Sequence, residues 1–356
     1  MAGVEFHTLT VDAVERLTED AVAVSFEVPE ALTETFRYLP GQHVTLRTTI
    51  EGTDVRRSYS ICADAGTGDV RVGIKRLPGG VFSTWANEVL TPGDQIEVTP
   101  PIGEFIVVPD PAEAHHYVGI AAGSGITPVF GQVASILAAE PASRYTLIYG
   151  NRESRSVMLL EELQGLKDRN LDRFQLIHVL SREDTAVPLF SGRIDEEKLD
   201  DLFDSVVATA TVDGWYLCGP LDMVEAARRA LVRRGVADDL VHDELFFSEP
   251  GAVAIVVTDD DVTDHSLVRF ELEGRASQVL VDPGGPPILD HALAVRRELP
   301  FSCRGGMCTT CRARIVSGEV TMDKNWSLTT DELSAGLILT CQAHPVSDRV
   351  ELTYDV

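Results

Sequence analysis

The arrangement of cysteines in the last sixth of the chain constrains this sequence more than any other feature. Three cysteines fall within nine residues, and a fourth follows after 29 intervening residues. They are Cys303, Cys308, Cys311 and Cys341. The spacing C-x4-C-x2-C…C is typical of thiolates that hold a [2Fe–2S] cluster. Gly305 and Gly306 supply backbone freedom where such a loop must turn. The sequence therefore predicts these four cysteines as cluster ligands.

Two other uses of cysteine fit this pattern less well. A structural zinc site usually has two separated C-x2-4-C pairs, not three cysteines in nine residues. A disulfide framework is typical of small secreted chains, whereas this chain has 356 residues and only six cysteines. The cysteine usage favours a reducing cytoplasm, and we expect neither a signal peptide nor a membrane span.

Composition and charge limit the partners. Hydrophobic residues make up 44% and charged residues 24% of the chain, as in ordinary globular proteins. The formal net charge of −26 argues against nucleic acid as a partner. It fits either a well-solvated surface or electrostatic attraction to a protein with a basic patch.

The first 110 or so residues alternate in hydrophobicity with a period of two. Strands are predicted at residues 22–28, 43–47, 70–74 and 95–98, with glycine- and proline-containing turns between them. Many short strands of this kind favour a closed antiparallel barrel.

Within this part, Arg57-Ser-Tyr59-Ser60 is predicted to begin a strand and to bind a cofactor. An arginine can pair with phosphate, a tyrosine can stack on a flat ring, and a serine hydroxyl can bond a ring nitrogen. Further on, the pair Gly79-Gly80 precedes a helix predicted at 82–90 and makes a candidate pyrophosphate site at the helix N-terminus. Lys75, Val81 and Ser83 flank this site. A plain turn is the alternative for such a glycine pair.

Residues from about 113 to 247 alternate between strands and helices, which indicates a parallel sheet. Gly123, Gly125 and Thr127 lie between a strand predicted at 116–122 and a helix predicted at 129–139. Backbone amides at such a turn favour a phosphate. The turn is not G-x-G-x-x-G, so an ordinary dinucleotide fingerprint is not expected.

Three other places in this part carry candidate ligands. Cys218, followed by Gly219, either lines a nicotinamide pocket, which we favour, or is a buried small residue at a strand end. Ser181 and Arg182 either form a solvated loop or bind a 2′-phosphate, although the two acidic residues that follow them would repel it. Phe246 either belongs to the core or covers a flavin ring.

These motifs together resemble a known family. Arg57-x-Tyr59-Ser60, Gly79-Gly80-x-x-Ser83, Gly123-x-Gly125-x-Thr127-Pro128 and Cys218-Gly219-Pro220 are similar to motifs of the ferredoxin–NADP reductase superfamily. The cysteine-bearing end resembles a plant-type ferredoxin. The order of the parts resembles reductase components of bacterial multicomponent oxygenases, with further matches at residues 147–152, 166–169, 192–199 and 322–343.

The resemblance implies a multi-domain fold. We expect an FAD-binding antiparallel β-barrel at 1–110, an α/β nicotinamide domain with a parallel sheet at 111–248, a linker at 249–264 and an α+β ferredoxin domain of β-grasp type at 265–356.

The resemblance also implies roles for individual residues. FAD would be held by Arg57, Tyr59, Ser60, Lys75, Gly80, Val81, Ser83 and Phe246. The nicotinamide nucleotide would be held by Gly123, Gly125, Thr127, Cys218 and Gly219. Ser181 and Arg182 would bind the 2′-phosphate, which favours NADPH over NADH. Ser60 near the flavin N5 and Cys218 beside the nicotinamide C4 would be the catalytic contacts, and no general base is assigned.

The three cofactors together imply a direction of electron flow. A nicotinamide gives two electrons together as hydride, and a [2Fe–2S] cluster takes one electron at a time. A flavin can transfer electrons either in pairs or singly. The expected route runs from NAD(P)H through FAD and the cluster to a di-iron oxygenase on another protein. The alternatives are a reductase for another oxygenase, such as a steroid or aromatic-ring hydroxylase, a simple electron carrier, and a zinc-binding module.

Overall fold

The structure is a computed structural model that describes residues 6–78, 80–245, 265–272, 275–296, 299–301, 304–306 and 309–355. Several sequence predictions lie outside the described residues. They concern Gly79, Phe246, the linker at 249–264, Cys303 and Cys308.

The N-terminal part forms an antiparallel barrel, as predicted. Its strands are β1 (His7–Thr18), β2 (Ala21–Glu27), β3 (His43–Ile50), β4 (Thr53–Ser60), β5 (Val70–Lys75) and β6 (Gln95–Val98). They pair in the order β4-β3-β6-β1-β2-β5, and a bridge between Ile61 and Val72 joins the two ends. Alternate side chains such as Leu9, Val24 and Leu46 fill the interior. Helix α1 (Val81–Glu88) packs on this core through Phe82.

One prediction in this barrel is wrong. Arg57-Ser-Tyr59-Ser60 ends a strand instead of beginning one, because the hairpin turn lies earlier, at Glu51 and Gly52. Both turn residues have positive φ, +50° and +82°, so the charged residues before Arg57 already belong to β4. The motif therefore lies at the end of the barrel strand, where the chain leaves the sheet.

The middle part is a parallel sheet with helices, as predicted. Its strands are β7 (His116–Ala122), β8 (Arg144–Asn151), β9 (Phe174–Leu180), β10 (Gly214–Gly219) and β11 (Val241–Leu245), in the order β11-β10-β7-β8-β9. The helices are α2 (Ile126–Ala139), α3 (Leu160–Arg169), α4 (Glu196–Ser205) and α5 (Leu221–Arg233). Helix α2 begins earlier than predicted because Pro128, which fits a first helical turn, is inside it.

The C-terminal part has the expected mixed sheet. Strands β12 (Ser266–Leu272), β13 (Arg275–Val281), β14 (Arg312–Ser317), β16 (Leu337–Leu339) and β18 (Arg349–Thr353) pair in the order β13-β12-β18-β14-β16. Strand β15 (Val320–Met322) pairs with β17 (Ala343–Pro345). Helices α6 (Ile288–Val295) and α7 (Thr330–Ser334) accompany the sheet. The buried side chains of Phe270, Leu289 and Leu352 form part of its core.

The barrel and the parallel sheet are in close contact. A Cβ atom on Gly131 of α2 would lie 2.9 Å from the carbonyl oxygen of Ile61, and one on Gly73 of β5 would lie 2.6 Å from Thr127 Cγ2. A side chain at either glycine would clash with the backbone of Ile61 or with the methyl group of Thr127, so both positions require glycine at this spacing. Across the described parts of the chain, no helix has the length and apolar character needed to span a membrane.

Candidate functional site

The carboxyl ends of the parallel strands meet the end of barrel strand β4. Ser60, the last residue of β4, donates a hydrogen bond of 3.3 Å from its Oγ to Glu244 Oε2 on β11. His43 lies directly opposite Ser60 in the β3–β4 ladder, and its Nδ1 is 3.9 Å from Glu244 Oε1. Cys218 is paired with Glu244 in the register of β10 and β11. The structure thus brings the two predicted catalytic contacts, Ser60 and Cys218, to one junction.

The electrostatics of this junction follow from burial. Burial raises the pKa of Glu244 to about 7, although the Ser60 hydrogen bond opposes the shift. Burial lowers the pKa of His43 to about 4, so its imidazole is neutral at pH 7. Burial, together with the nearby carboxylates Glu244 and Asp243, raises the pKa of Cys218 well above the usual thiol value. Cys218 is therefore a neutral, fully buried thiol.

Sequence reasoning assigns no acid or base, and it does not single out His43. Glu244 lies two residues before Phe246, the predicted flavin contact, and is itself assigned no role. The available signal is a pair of carboxylates, Asp243 and Glu244, in the short strand Val241–Leu245. That signal does not identify the partner, because Ser60 reaches Glu244 only through the packing of the barrel against the parallel sheet.

The predicted flavin residues are placed on one edge of the barrel. The ring of Tyr59 packs at 5.6 Å from the ring of Phe82, and burial raises the pKa of the Tyr59 hydroxyl, which stays neutral. Arg57 donates from Nη1 to the carbonyl oxygen of Arg56 at 2.6 Å. No ion pair is found for Arg57 among the described residues. A cation without a carboxylate beside an aromatic surface fits a flavin that carries phosphates.

The predicted pyrophosphate site is the N-terminus of α1. Gly80 is the N-cap, and no side chain caps the helix amides. Ser83 Oγ accepts from the amide of Leu77 at 3.1 Å and donates to the carbonyl oxygen of Gly80 at 3.3 Å. Val81 is half exposed in the first turn. Uncapped amides at a helix start fit a phosphate group.

Lys75 is paired within the barrel. Its Nζ lies 3.6 Å from Asp20 Oδ2, and the residue ends strand β5. Its role in FAD binding stays a prediction.

The predicted nicotinamide loop is tight and uncapped. Gly123 has φ of +55°, and a Cβ on Gly125 would lie 2.3 Å from the carbonyl oxygen of Cys218. Thr127 Oγ1 donates to the carbonyl oxygen of Ser124 at 3.1 Å, and no side chain caps the start of α2. Gly219, the last residue of β10, is also closely packed: a Cβ there would lie 2.7 Å from Met223 Cε. The close approach of the backbone and the absence of a side-chain cap at the start of α2 fit a dinucleotide phosphate.

Ser181 and Arg182 are exposed just beyond the end of β9. Arg182 has no ion pair among the residues that the structure describes. The carboxylate of Glu183 accepts from the amide and the Oγ of Ser154, at 2.8 and 3.2 Å. These hydrogen bonds lower the pKa of Glu183 and hold its charge at the loop after β8. Glu183 therefore stays ionised, with its two carboxylate oxygens hydrogen-bonded to Ser154.

The cysteine loop has the backbone that a cluster needs. Arg304, Gly306 and Thr309 have φ of +50°, +78° and +53°. Cys311 and Cys341 are 2% and 4% exposed. Positive φ at these three described residues is the kind of backbone that a cluster-binding loop requires.

Two threonines beside these cysteines complete the local structure. Thr340 Oγ1 donates to the carbonyl oxygen of Cys311 at 2.9 Å and so ties the two ligand segments together. The buried hydroxyl of Thr310 has no hydrogen-bond partner among the described residues, which fits a donor to cluster sulfur. No group of three metal-binding side chains is found in the described residues, and two of the four predicted ligands lie outside them.

Family models cover the three parts in the same order. The oxidoreductase FAD-binding domain matches residues 8–106, the oxidoreductase NAD-binding domain matches residues 120–229, and the 2Fe-2S iron-sulfur cluster binding domain matches residues 270–346. The fold and these matches define an oxidoreductase that contains FAD-binding, NAD-binding and [2Fe–2S] domains.

Curated relatives identify the group more closely. The chain is 40% identical to a component of the 1,2-phenylacetyl-CoA epoxidase of Escherichia coli K12, over 98% of both chains. It is 36% identical to the ferredoxin reductase component of the 3-ketosteroid-9-alpha-monooxygenase of Mycobacterium tuberculosis H37Rv, over 98% of this chain and 96% of the relative. The chain belongs to the family of reductase components of oxygenases.

A solved structure shows the same modular fold. Phthalate dioxygenase reductase, a modular structure for electron transfer from pyridine nucleotides to [2Fe–2S], aligns over 98% of both chains with a TM-score of 0.55 and 20% identity. At this identity the likeness concerns the fold.

Proposed function

We propose that this reductase takes electrons from NADPH and delivers them to a di-iron oxygenase that converts phenylacetyl-CoA to its 1,2-epoxide. The support is the 40% identity to the epoxidase component over nearly the whole chain. The segments at 147–152, 192–199 and 322–343 resemble that reductase as well.

The observation that carries the electron-transfer chemistry is the meeting of Ser60, Glu244 and Cys218 at one junction. When bound there, FAD accepts an electron pair from the nicotinamide and passes electrons singly to the cluster. Arg57, Tyr59 and the start of α1 would hold FAD, and the start of α2 would hold the nucleotide pyrophosphate. Cys218 keeps the junction apolar and uncharged at its nicotinamide side.

Glu244 provides a carboxyl group at this junction that can exchange a proton during electron transfer. With a pKa of about 7, its carboxyl can take up or release a proton at Oε2, beside the hydroxyl of Ser60. His43 stays neutral and buried, so it does not lock Glu244 in the ionised form. We therefore assign Glu244 as the proton-exchanging group of the site, with Ser60 as the residue that connects it to the flavin.

NADPH is the proposed electron donor because the residues that follow β9 are suited to binding its 2′-phosphate. Arg182 is exposed and cationic, Ser181 adds a hydroxyl, and Glu183 is held by Ser154. A guanidinium is well suited to a phosphate dianion. We also propose the domain boundaries 1–110, 111–248 and 265–356, with a linker at 249–264, and a cytoplasmic location that matches the cysteine usage.

The test combines spectroscopy with reconstitution. The purified protein should show flavin and iron–sulfur absorbance that NADPH bleaches anaerobically. Added to the phenylacetyl-CoA oxygenase components, it should support NADPH-dependent epoxide formation. If the protein binds neither flavin nor iron and sulfide after reconstitution, or if NADPH leaves the cluster oxidised, the electron-transfer proposal is overturned.

A second partner has specific support. The 36% identity to the 3-ketosteroid monooxygenase reductase also spans almost the whole chain. Comparing turnover with the two oxygenases side by side decides between them. Efficient coupling to the steroid oxygenase and none to the epoxidase would overturn the assignment of partner while leaving the reductase chemistry intact.

A further inference from the structure

A buried arginine links the barrel to the C-terminal part of the chain. Arg56 is only 6% exposed and immediately precedes Arg57 in β4. Its Nη2 lies 3.1 Å from Glu332 Oε1, and its Nη1 lies 3.4 Å from Glu332 Oε2 and 3.5 Å from the carbonyl oxygen of Ser327. A planar guanidinium pairs well with a carboxylate in this two-pronged arrangement. The contact joins residues 276 positions apart in sequence.

The far side of this contact leads to the cysteine loop. Glu332 Oε1 is also 3.6 Å from Nη1 of Arg312, the residue that follows Cys311. Ser327 Oγ donates to the carbonyl oxygen of Gly306 at 3.1 Å, and the amide of Trp326 donates to the same oxygen at 3.0 Å. The partners of Arg56 are therefore attached to the loop at Gly306 and Arg312, which lie on either side of Cys308 and Cys311 in the sequence.

Glu332 is itself fixed in place. Its Oε2 accepts from the amide of Thr329 at 2.8 Å, while its own amide donates to Thr329 Oγ1 at 3.3 Å. This reciprocal pair is a capping box at the start of α7. Burial raises the pKa of Glu332, but the Thr329 amide and Arg56 outweigh it, so the pKa lies below its usual value. The carboxylate is ionised at neutral pH and meets Arg56 as a charge.

We propose that Arg56 and Glu332 form a clamp that holds the iron–sulfur module against the flavin module in the arrangement needed for internal electron transfer. The inference rests on the proposed function. Arg56 is a positioning residue, since it is one position from a predicted flavin contact. Glu332 contacts Arg312, which is one position from a predicted cluster ligand. A small misplacement of reacting groups is enough to slow a reaction greatly.

The kinetic test separates two steps in the loaded protein. After anaerobic mixing with NADPH, flavin bleaching and cluster reduction are followed by stopped-flow absorbance. Arg56→Gln and Glu332→Gln should leave flavin reduction within about twofold of the wild-type rate, because the nucleotide site is untouched, and should slow cluster reduction at least tenfold. Glutamine at position 332 keeps the capping box, so α7 is preserved.

A matched control is available within the barrel. Arg76→Gln removes the same charge and breaks the 2.8 Å pair with Glu88, but it involves no residue of the C-terminal part. Both rates should remain at wild-type values in this variant.

The arrangement of the modules is also measured in the absence of electron transfer. Small-angle scattering of the oxidised, loaded protein should show a larger radius of gyration for Arg56→Gln and Glu332→Gln than for the wild type and Arg76→Gln. Wild-type rates and dimensions in Glu332→Gln would overturn the clamp, even if Arg56→Gln fails to fold. Failure of NADPH to reduce the cluster in the wild type would instead overturn the proposed function.

Discussion

Ser60 and Glu244 are 184 positions apart in sequence, yet Ser60 Oγ donates to Glu244 Oε2 at 3.3 Å. The hydrogen bond joins the end of a barrel strand to the end of a parallel strand. The carboxyl group is taken largely out of water by this packing, which is why the pKa of Glu244 is raised to about 7.

The raised pKa predicts a pH dependence of stability. Between the ordinary pKa near 4.5 and the folded value near 7, the folded protein keeps a proton that the unfolded chain has lost, so stability falls as pH rises through this window. The Glu244→Gln variant has no carboxyl group to titrate at this position, so this fall in stability should be absent. We expect the stability of the variant relative to the wild type to rise by about 3 kcal/mol between pH 4 and pH 8. Thermal unfolding of both proteins across this range provides the measurement; parallel curves would show that Glu244 titrates normally.

Arg182→Ala should change the choice of nucleotide. The loss of a guanidinium from a 2′-phosphate is expected to raise KM for NADPH by roughly 10- to 100-fold, with little effect on NADH. Steady-state reduction of an artificial acceptor with both nucleotides measures this. Arg155→Ala is the control, because Arg155 is a nearby exposed arginine paired with Glu153. An equal effect on NADH and NADPH would reject the 2′-phosphate assignment.

Cys308→Ser should separate the two halves of the electron route. We expect the variant to lose iron and labile sulfide while it retains FAD and reduces a two-electron dye with NADPH at a near-normal rate. Cys62→Ala should keep the cluster, because Cys62 is fully buried in the core that contains α2. Loss of dye reduction in Cys308→Ser with FAD still bound would mean that the modules do not act separately.

Gly125→Ala should impair nucleotide binding. The added Cβ would lie 2.3 Å from the carbonyl oxygen of Cys218, so the loop before α2 must move, at a cost of about 1–3 kcal/mol. Titration with NADP⁺ should show a corresponding rise in Kd. Gly165→Ala on α3 is the control: its nearest atom within 4 Å is the flexible end of Arg169, at 3.3 Å, and alanine favours a helix by about 0.5–1 kcal/mol. Unchanged affinity in Gly125→Ala would contradict the phosphate site.

The acidic surface predicts a salt effect on partner association. With a formal net charge of −26, attraction to a basic oxygenase surface should weaken as ionic strength rises. Association rates measured at about 0.05 and 0.5 M salt should fall by at least tenfold. A rate independent of salt would leave solubility as the explanation of the charge.

Local patterns predict the architecture well. The cysteine spacing, the alternating strands of the barrel and the strand–helix alternation of the middle part are properties of short segments. The predicted start of β4 is wrong because Glu51, with φ of +50°, takes part in the turn, and a glutamate gives little sign of that.

Contacts between distant segments are beyond the reach of the sequence. His43 joins Ser60 through the register of a hairpin, and Glu244 arrives from another sheet. The pairing of Arg56 with Glu332 depends on how two modules pack. In each case residue type alone permits many partners, and only the tertiary arrangement selects one.

The contact at Gly131 has a practical consequence for building chimaeric reductases. At Gly131, α2 lies against the main chain of Ile61 without a side chain between them. The flavin and nucleotide parts are therefore closely packed at their boundary. A nucleotide module from a relative with a bulkier residue at this position would be pushed away from the barrel. On the proposed role of Arg182, exchange of coenzyme specificity is better pursued by substitutions near the end of β9 than by transplanting the module whole.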